Sequence, residues 1–170
     1  MDYIHIGKIA ASFGLKGEVI LVHPLNKKLS FKGVEAVFIE QQKGDRLPYF
    51  IEAARPKDTN EVYLKLEGID TPEAAQRIIR KNLWLADADF RSMAGTKSPL
   101  SLLGYQLINE GEPLGPVEEV IEQPHQVLLR ITYRNNEALI PLHKETLKNI
   151  DREAKEVHVV LPEGLLEIYE

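Results

Sequence analysis

The chain has 170 residues, 44% of them apolar, which is enough for one large or two small packed domains and too apolar for wholesale disorder. It contains no cysteine, which excludes a disulfide framework, a thiol nucleophile and Cys-ligated zinc, and fits a reducing compartment. The net charge of −5 is unevenly spread: residues 1–90 carry 13 Lys/Arg and 13 Asp/Glu, whereas residues 91–170 carry 8 and 13.

An acidic second half is the opposite of what a duplex-coating nucleic-acid binder shows. It suits a basic partner through complementary potentials, although acidic surfaces also simply keep proteins soluble. No apolar run is as long as a membrane span, and Met1-Asp2-Tyr3 is not a basic leader. Neither a signal peptide nor a membrane segment is expected, and the expected location is the cytoplasm.

The chain opens on two strand-length apolar runs, Ile4 to Ala11 and Val19 to Val22. Ser12-Phe13-Gly14-Leu15-Lys16-Gly17 joins them. Val19 to Val22 is apolar at every position, which predicts burial on both faces in a closed barrel. Gly14 and Gly17 allow backbone angles that a side chain would forbid, and Phe13 and Lys16 are free to face outward. Asn26 to Gly33 reads as a solvated loop with three lysines. Strands are expected at Ala36 to Gln41, Tyr49 to Ile51 and Val62 to Leu66, the last alternating with Tyr63 and Lys65 so that one face is core.

Thr71-Pro72-Glu73 is a helix start: a capping hydroxyl, a proline for the first turn and an acid for the positive end of the dipole. Ala75, Ile78 and Ile79 then form one apolar stripe. Leu83-Trp84-Leu85 makes a sixth strand, with Trp84 read as core rather than as a base-stacking platform. The polar, aperiodic stretch 87–99 reads as an interdomain linker between a barrel over 1–86 and a second domain over 100–170.

The second half shows turns about every ten residues, a small all-β barrel pattern. Leu103 to Ile108 is expected to pair across the Gly111–Gly115 loop with Val117 to Ile121. Val127 to Tyr133 is expected to turn at Asn135-Asn136 into Ala138 to Pro141. His143 to Lys148 reads as one helical turn, with Leu142, Leu147 and Ile150 inward. Val157 to Val160 is the last strand. The fold class is therefore mainly β, two small barrels joined by a linker, the first with six strands and one helix.

No catalytic constellation emerges. His5, His23, His125, His143 and His158 make no helical metal pair, and His143 with Glu145 reads as a polar turn rather than an ion site. Asp87 and Asp89 resemble a carboxylate pair but lie in the expected linker. No nucleophile elbow, P-loop or dinucleotide fingerprint occurs. Gly14-Leu15-Lys16-Gly17 matches the clamp of KH domains only weakly, because it joins strands. No enzyme, cofactor or metal is expected. Lys16 remains a candidate phosphate contact.

Four stretches, in order, resemble the ribosome maturation factor RimM family. They are Gly7-Lys8-Ile9 with Gly14-Leu15-Lys16-Gly17-Glu18-Val19; Asp70-Thr71-Pro72-Glu73-Ala74-Ala75 leading to Arg80; Leu102-Leu103-Gly104 with Gly115; and Ile140-Pro141 with Leu161-Pro162-Glu163-Gly164-Leu165-Leu166. The resemblance covers nearly the whole chain. It implies an N-terminal six-stranded barrel, a C-terminal PRC-type barrel, and a non-enzymatic factor that binds the immature small ribosomal subunit and a basic protein of its head; the chain itself is expected to be a monomer. Head assembly and rRNA processing would be its task.

The candidate ribosome and RNA contacts are then Phe13, Gly14, Lys16 and Gly17. The candidate partner-protein contacts are Leu102, Gly104, Tyr105, Pro162, Gly164 and Leu165. Three positions depart from the family: Lys97 and Ser98 stand where it commonly carries paired tyrosines, and Ser101 where it has Asp. Phe13 also replaces a frequent His. The competing expectation is a general single-strand RNA binder, which needs aromatics on a basic groove.

Overall fold

The computed structural model describes residues 2–95 and 98–169. The chain divides into two compact units, with the boundary after residue 96.

In the first unit, six strands are β1 (Tyr3–Phe13), β2 (Glu18–Val22), β3 (Ala36–Gln42), β4 (Asp45–Pro56), β5 (Glu61–Leu66) and β6 (Asn82–Ala86). They form a ring in the order β1-β2-β5-β4-β3-β6, antiparallel throughout, and β6 returns to pair with β1. Ile9, Leu21, Ile39, Leu64 and Leu83 are fully buried inside it. The expectation that β2 is buried on both faces fails: Val19 and Leu21 point in, Ile20 is half-buried and Val22 is 39% exposed. A barrel strand has one interior face, so a continuous apolar run still alternates.

Trp84 is corrected by the same rule. Leu83 and Leu85 take the interior, and Trp84 stands between them, half-buried on the outside. The lysine-rich loop is less solvated than its composition implies. Leu29 and Phe31 are 1% and 3% exposed, and Lys27 donates to the Ala94 carbonyl at 3.2 Å.

Helix α1 (Pro72–Gln76) starts as expected, with Thr71 Oγ accepting from the Ala74 amide at 3.1 Å. It is short. Ala75 and Ile78 are buried, but Ile79 is only half-buried in the turns that follow. The expected linker is the larger correction. Residues 87–94 form helix α2 (Asp87–Ala94), which runs on from β6 and belongs to the first unit. Phe90 and Ala94, four apart, are buried on one face, and Asp87 and Asp89 sit in the first turn. Asp87 pairs with Arg91, one helical turn on, at 2.9 Å.

The second unit begins with a 3₁₀ turn, Pro99–Leu102. Its strands are β7 (Gln106–Asn109), β8 (Glu112–Pro116), β9 (Glu119–Glu122), β10 (Val127–Tyr133), β11 (Asn136–Leu142), β12 (Leu147–Asp151) and β13 (Glu156–Val159). They make two sheets, β11-β10-β9 and β12-β13-β7-β8, with β13 parallel to β7. The expected partner of β7 is displaced: it pairs with residues 112–116 through a turn at Glu110-Gly111, while β9 pairs with β10. The β10–β11 turn also lies one residue earlier than expected, at Arg134-Asn135. Both have positive φ, 49° and 68°, the geometry of a two-residue hairpin that follows right-handed strand twist. Around His143 one helical turn forms, but the side chain it buries is Thr146. Leu142, Leu147 and Ile150 are half-buried.

His23, just past β2, is 2% exposed. Its Nδ1 accepts from the Leu25 amide at 3.3 Å, and Nε2 has no partner among the described residues. Burial lowers its pKa from 6.5, with Asp58 partly opposing. Above 6.5 the imidazole is neutral folded or unfolded. Below 6.5 the unfolded chain takes a proton that the folded state refuses, so stability falls as the pH drops through the folded value. The melting temperature should therefore decline as the pH falls below about 6.5, and decline less in His23→Gln, measured by thermal melts of both proteins. Glu40 and Asp58, held below the ordinary carboxylate range by backbone hydrogen bonds, act only at lower pH.

Candidate functional site

The end of β1 and the loop that leads to β2 place their residues unequally. Phe13 is 42% and Leu15 85% exposed, and Lys16 is exposed, whereas Gly17 is buried against the backbone of Ile69 and Asp70. Gly14 has open space around it. Of the four candidate contacts, Phe13, Gly14 and Lys16 are presented to solvent. Gly17 sets the loop's path instead.

Phe13 is not alone. Its ring lies 4.7 Å from that of Tyr63, centroid to centroid, at 44°. Tyr63 stands directly opposite Arg55 in the β4–β5 register, and the Arg55 guanidinium sits 4.1 Å above its ring. Glu18 holds Arg55 at 3.5 Å. Lys57 lies 5.9 Å from the same ring and pairs with Glu61 at 3.0 Å, which raises the lysine's pKa through that hydrogen bond. A second cluster on the same barrel stacks Arg46 over Trp84 at 4.1 Å and near Tyr3 at 5.2 Å, with His5 5.0 Å from Trp84.

Sequence reasoning missed Arg55, Tyr63 and Arg46. The legible signal was Tyr63 itself, an aromatic on the outward register of an alternating strand. Its pairing with Arg55 depends on which strands are neighbours.

In the second unit the candidate partner contacts separate by burial. Leu102 and Tyr105 are 2% and 4% exposed and belong to the core, so any partner meets them only through the surface they support. Gly104 is exposed, and its amide donates to the Val117 carbonyl at 2.8 Å. Pro162 and Gly164 are exposed, Leu165 half-buried. Pro162 and Gly164 line a depression with Asn109, Leu161 and Leu166 whose charged residues are Glu110, Glu163 and Glu167; among the described residues no cation lines it. Elsewhere, three more carboxylates surround one cation: Arg130 pairs with Glu118 and Glu119 at 2.9 Å and approaches Glu137 at 3.9 Å.

Of the departures from the family pattern, Lys97 lies outside the described residues. Ser98 caps the 3₁₀ turn, its Oγ accepting from the Leu100 amide at 3.2 Å. Ser101 is 1% exposed, donates to the Ser98 carbonyl at 2.7 Å and accepts from Arg152 at 3.3 Å. Among the described residues no group of three His, Asp or Glu is arranged to hold a metal ion, and no helix is long and apolar enough to cross a membrane.

Both halves match known domain families. Residues 4–90 match the RimM N-terminal domain and residues 100–165 the RimM PRC barrel domain. The chain is 31% identical to the ribosome maturation factor RimM of Parabacteroides distasonis, over 98% of this chain and 97% of that one. It is also 31% identical to the RimM of Caldanaerobacter subterraneus, over 96% and 99%. A solved structure of a 16S ribosomal RNA processing protein RimM from Pseudomonas aeruginosa is 20% identical at a TM-score of 0.45, covering 95% of this chain and 98% of that one. With one domain model matched in each unit and relatives aligned nearly end to end, this chain belongs to the RimM family of ribosome maturation factors.

Proposed function

We propose that the chain is a non-enzymatic assembly factor that binds the immature small ribosomal subunit in the cytoplasm. Its second unit docks a basic protein of the subunit head, and its first unit approaches rRNA through Phe13, Gly14 and Lys16. In this way it helps the head form and its rRNA be processed. The observation that carries this reading is the depression beside Pro162 and Gly164, whose charges among the described residues are Glu110, Glu163 and Glu167. Lysine and arginine side chains of a basic protein complement it, their stems against Leu161 and Leu166 and their heads among the acids. The excess negative charge of residues 91–170 has the same sign.

The test is sedimentation of the full chain with subunit fractions. The protein should travel with free or immature small subunits and stay off complete ribosomes. Its binding should weaken as salt rises from about 0.05 to 0.2 M. Lys16→Glu should weaken it roughly fivefold at the lower salt. Salt-indifferent binding, or none, rejects the reading. The two Arg-on-aromatic clusters favour one competitor, a general single-strand RNA binder; equal affinity for an unstructured oligoribonucleotide would establish that one instead.

A further inference from the structure

The outer face of β4 and β5 carries an arrangement that a phosphate contact alone does not explain. Tyr63 supports the flat guanidinium of Arg55 from below at 4.1 Å, and Glu18 anchors its edge at 3.5 Å. Held in this way, the Arg55 side chain is still 57% exposed, and its guanidinium carbon also lies 6.0 Å from the centre of the Phe13 ring. Phe13 continues the surface at 4.7 Å from Tyr63 and is itself 42% exposed. A planar cation and an aromatic ring presented side by side form a stacking platform for a nucleobase. Lys16 in the adjoining loop and Lys57 beside Tyr63 supply positive charge for the flanking phosphates. Glu18 and Glu61 offset part of that charge, which leaves stacking, rather than bulk attraction, to select the ligand.

We propose that Arg55, Tyr63 and Phe13 form a platform that stacks one unpaired base of ribosomal RNA. The proposal rests on the small-subunit reading above and adds to it the class of group recognised, a single-stranded nucleotide, and two residues outside the β1–β2 loop. Arg55 meets the base face to face, Phe13 meets its edge or the next base, and Tyr63 acts as the positioning residue beneath Arg55. A lysine at position 55 would keep the charge and lose the plane.

The deciding measurement is the affinity of full-chain Arg55→Lys and Arg55→Ala for immature small subunits. It is read by sedimentation, with ultraviolet crosslinking of the unmodified complex alongside. Both variants should bind about tenfold more weakly, and the crosslinked peptide should contain Phe13 or Tyr63 joined to a nucleotide. Because the Arg55 side chain is largely exposed, both should melt as the parent does. Arg55→Lys binding as tightly as the parent overturns the platform and leaves only a charge contact. Crosslinks from these peptides to ribosomal protein overturn it as well. Failure of the parent itself to bind small subunits rejects the assembly-factor reading and the platform together, so the two failures are distinguishable.

Discussion

Gly17→Ala should destabilise the first unit by about 3 kcal/mol or more, while Gly14→Ala, three residues earlier in the same loop, should cost about 1 kcal/mol. Both glycines have positive φ, 88° and 72°, so both substitutions bear the left-handed penalty. Only one meets an obstacle. A Cβ on Gly17 would come within 2.6 Å of the Ile69 carbonyl carbon and 2.9 Å of the Asp70 amide nitrogen, and would strike the Ile69 oxygen. These are backbone atoms and cannot rotate away. Relief requires the loop to lift from the segment that leads into α1. A Cβ on Gly14 meets nothing within 4 Å. For a unit of this size, about 3 kcal/mol lowers the melting temperature by more than about 10 °C, and thermal melts by circular dichroism resolve that easily. Equal costs at the two positions would show that Gly17 does not pack on Ile69 and Asp70.

Phe90→Ala should cost about 3 to 5 kcal/mol, the range for removing a buried aromatic ring. Phe90 is fully buried from a helix of eight residues with no side-chain N-cap. Such a helix is too short to persist by propensity, so it forms because Phe90 and Ala94 are held by the barrel. Loss of the ring should therefore release α2 as well as open a cavity, seen as lower helicity and as protease cleavage within 87–95. Denaturant titration measures the stability. A change under 1 kcal/mol would return this segment to the status of a tether.

What the sequence made readable was local. Val62, Leu64 and Leu66 alternate with Tyr63 and Lys65, and all three apolar residues are fully buried. Thr71 and Pro72 mark a helix start because capping needs only neighbours three residues away. Family membership was legible because its motifs fall in order along the whole chain. What stayed hidden depended on partners far along the chain. Nothing near Tyr63 says that Arg55 will lie on its ring, because that requires β4 to be the neighbour of β5. The 87–94 helix was masked by its acids, although the Phe90–Ala94 spacing and the two aspartates in its first turn were both present. Leu102 and Tyr105 showed the converse failure. They sit in a family motif, yet their place is structural, and the acidic depression is formed by Glu110 together with residues fifty positions later.

The parallel pairing of β13 with β7 has a consequence for how the protein is made. Gln106 lies opposite Glu156, so the four-stranded sheet cannot be completed until the residues of β13 have left the ribosome. During that interval the β7–β8 hairpin presents an open edge, with Leu107 and Val157 still unmatched across it. Completion of the second module is thus a late event in synthesis, after the strands of the first have all emerged. A nascent chain halted before residue 156 would expose a sticky strand while already carrying a finished N-terminal barrel.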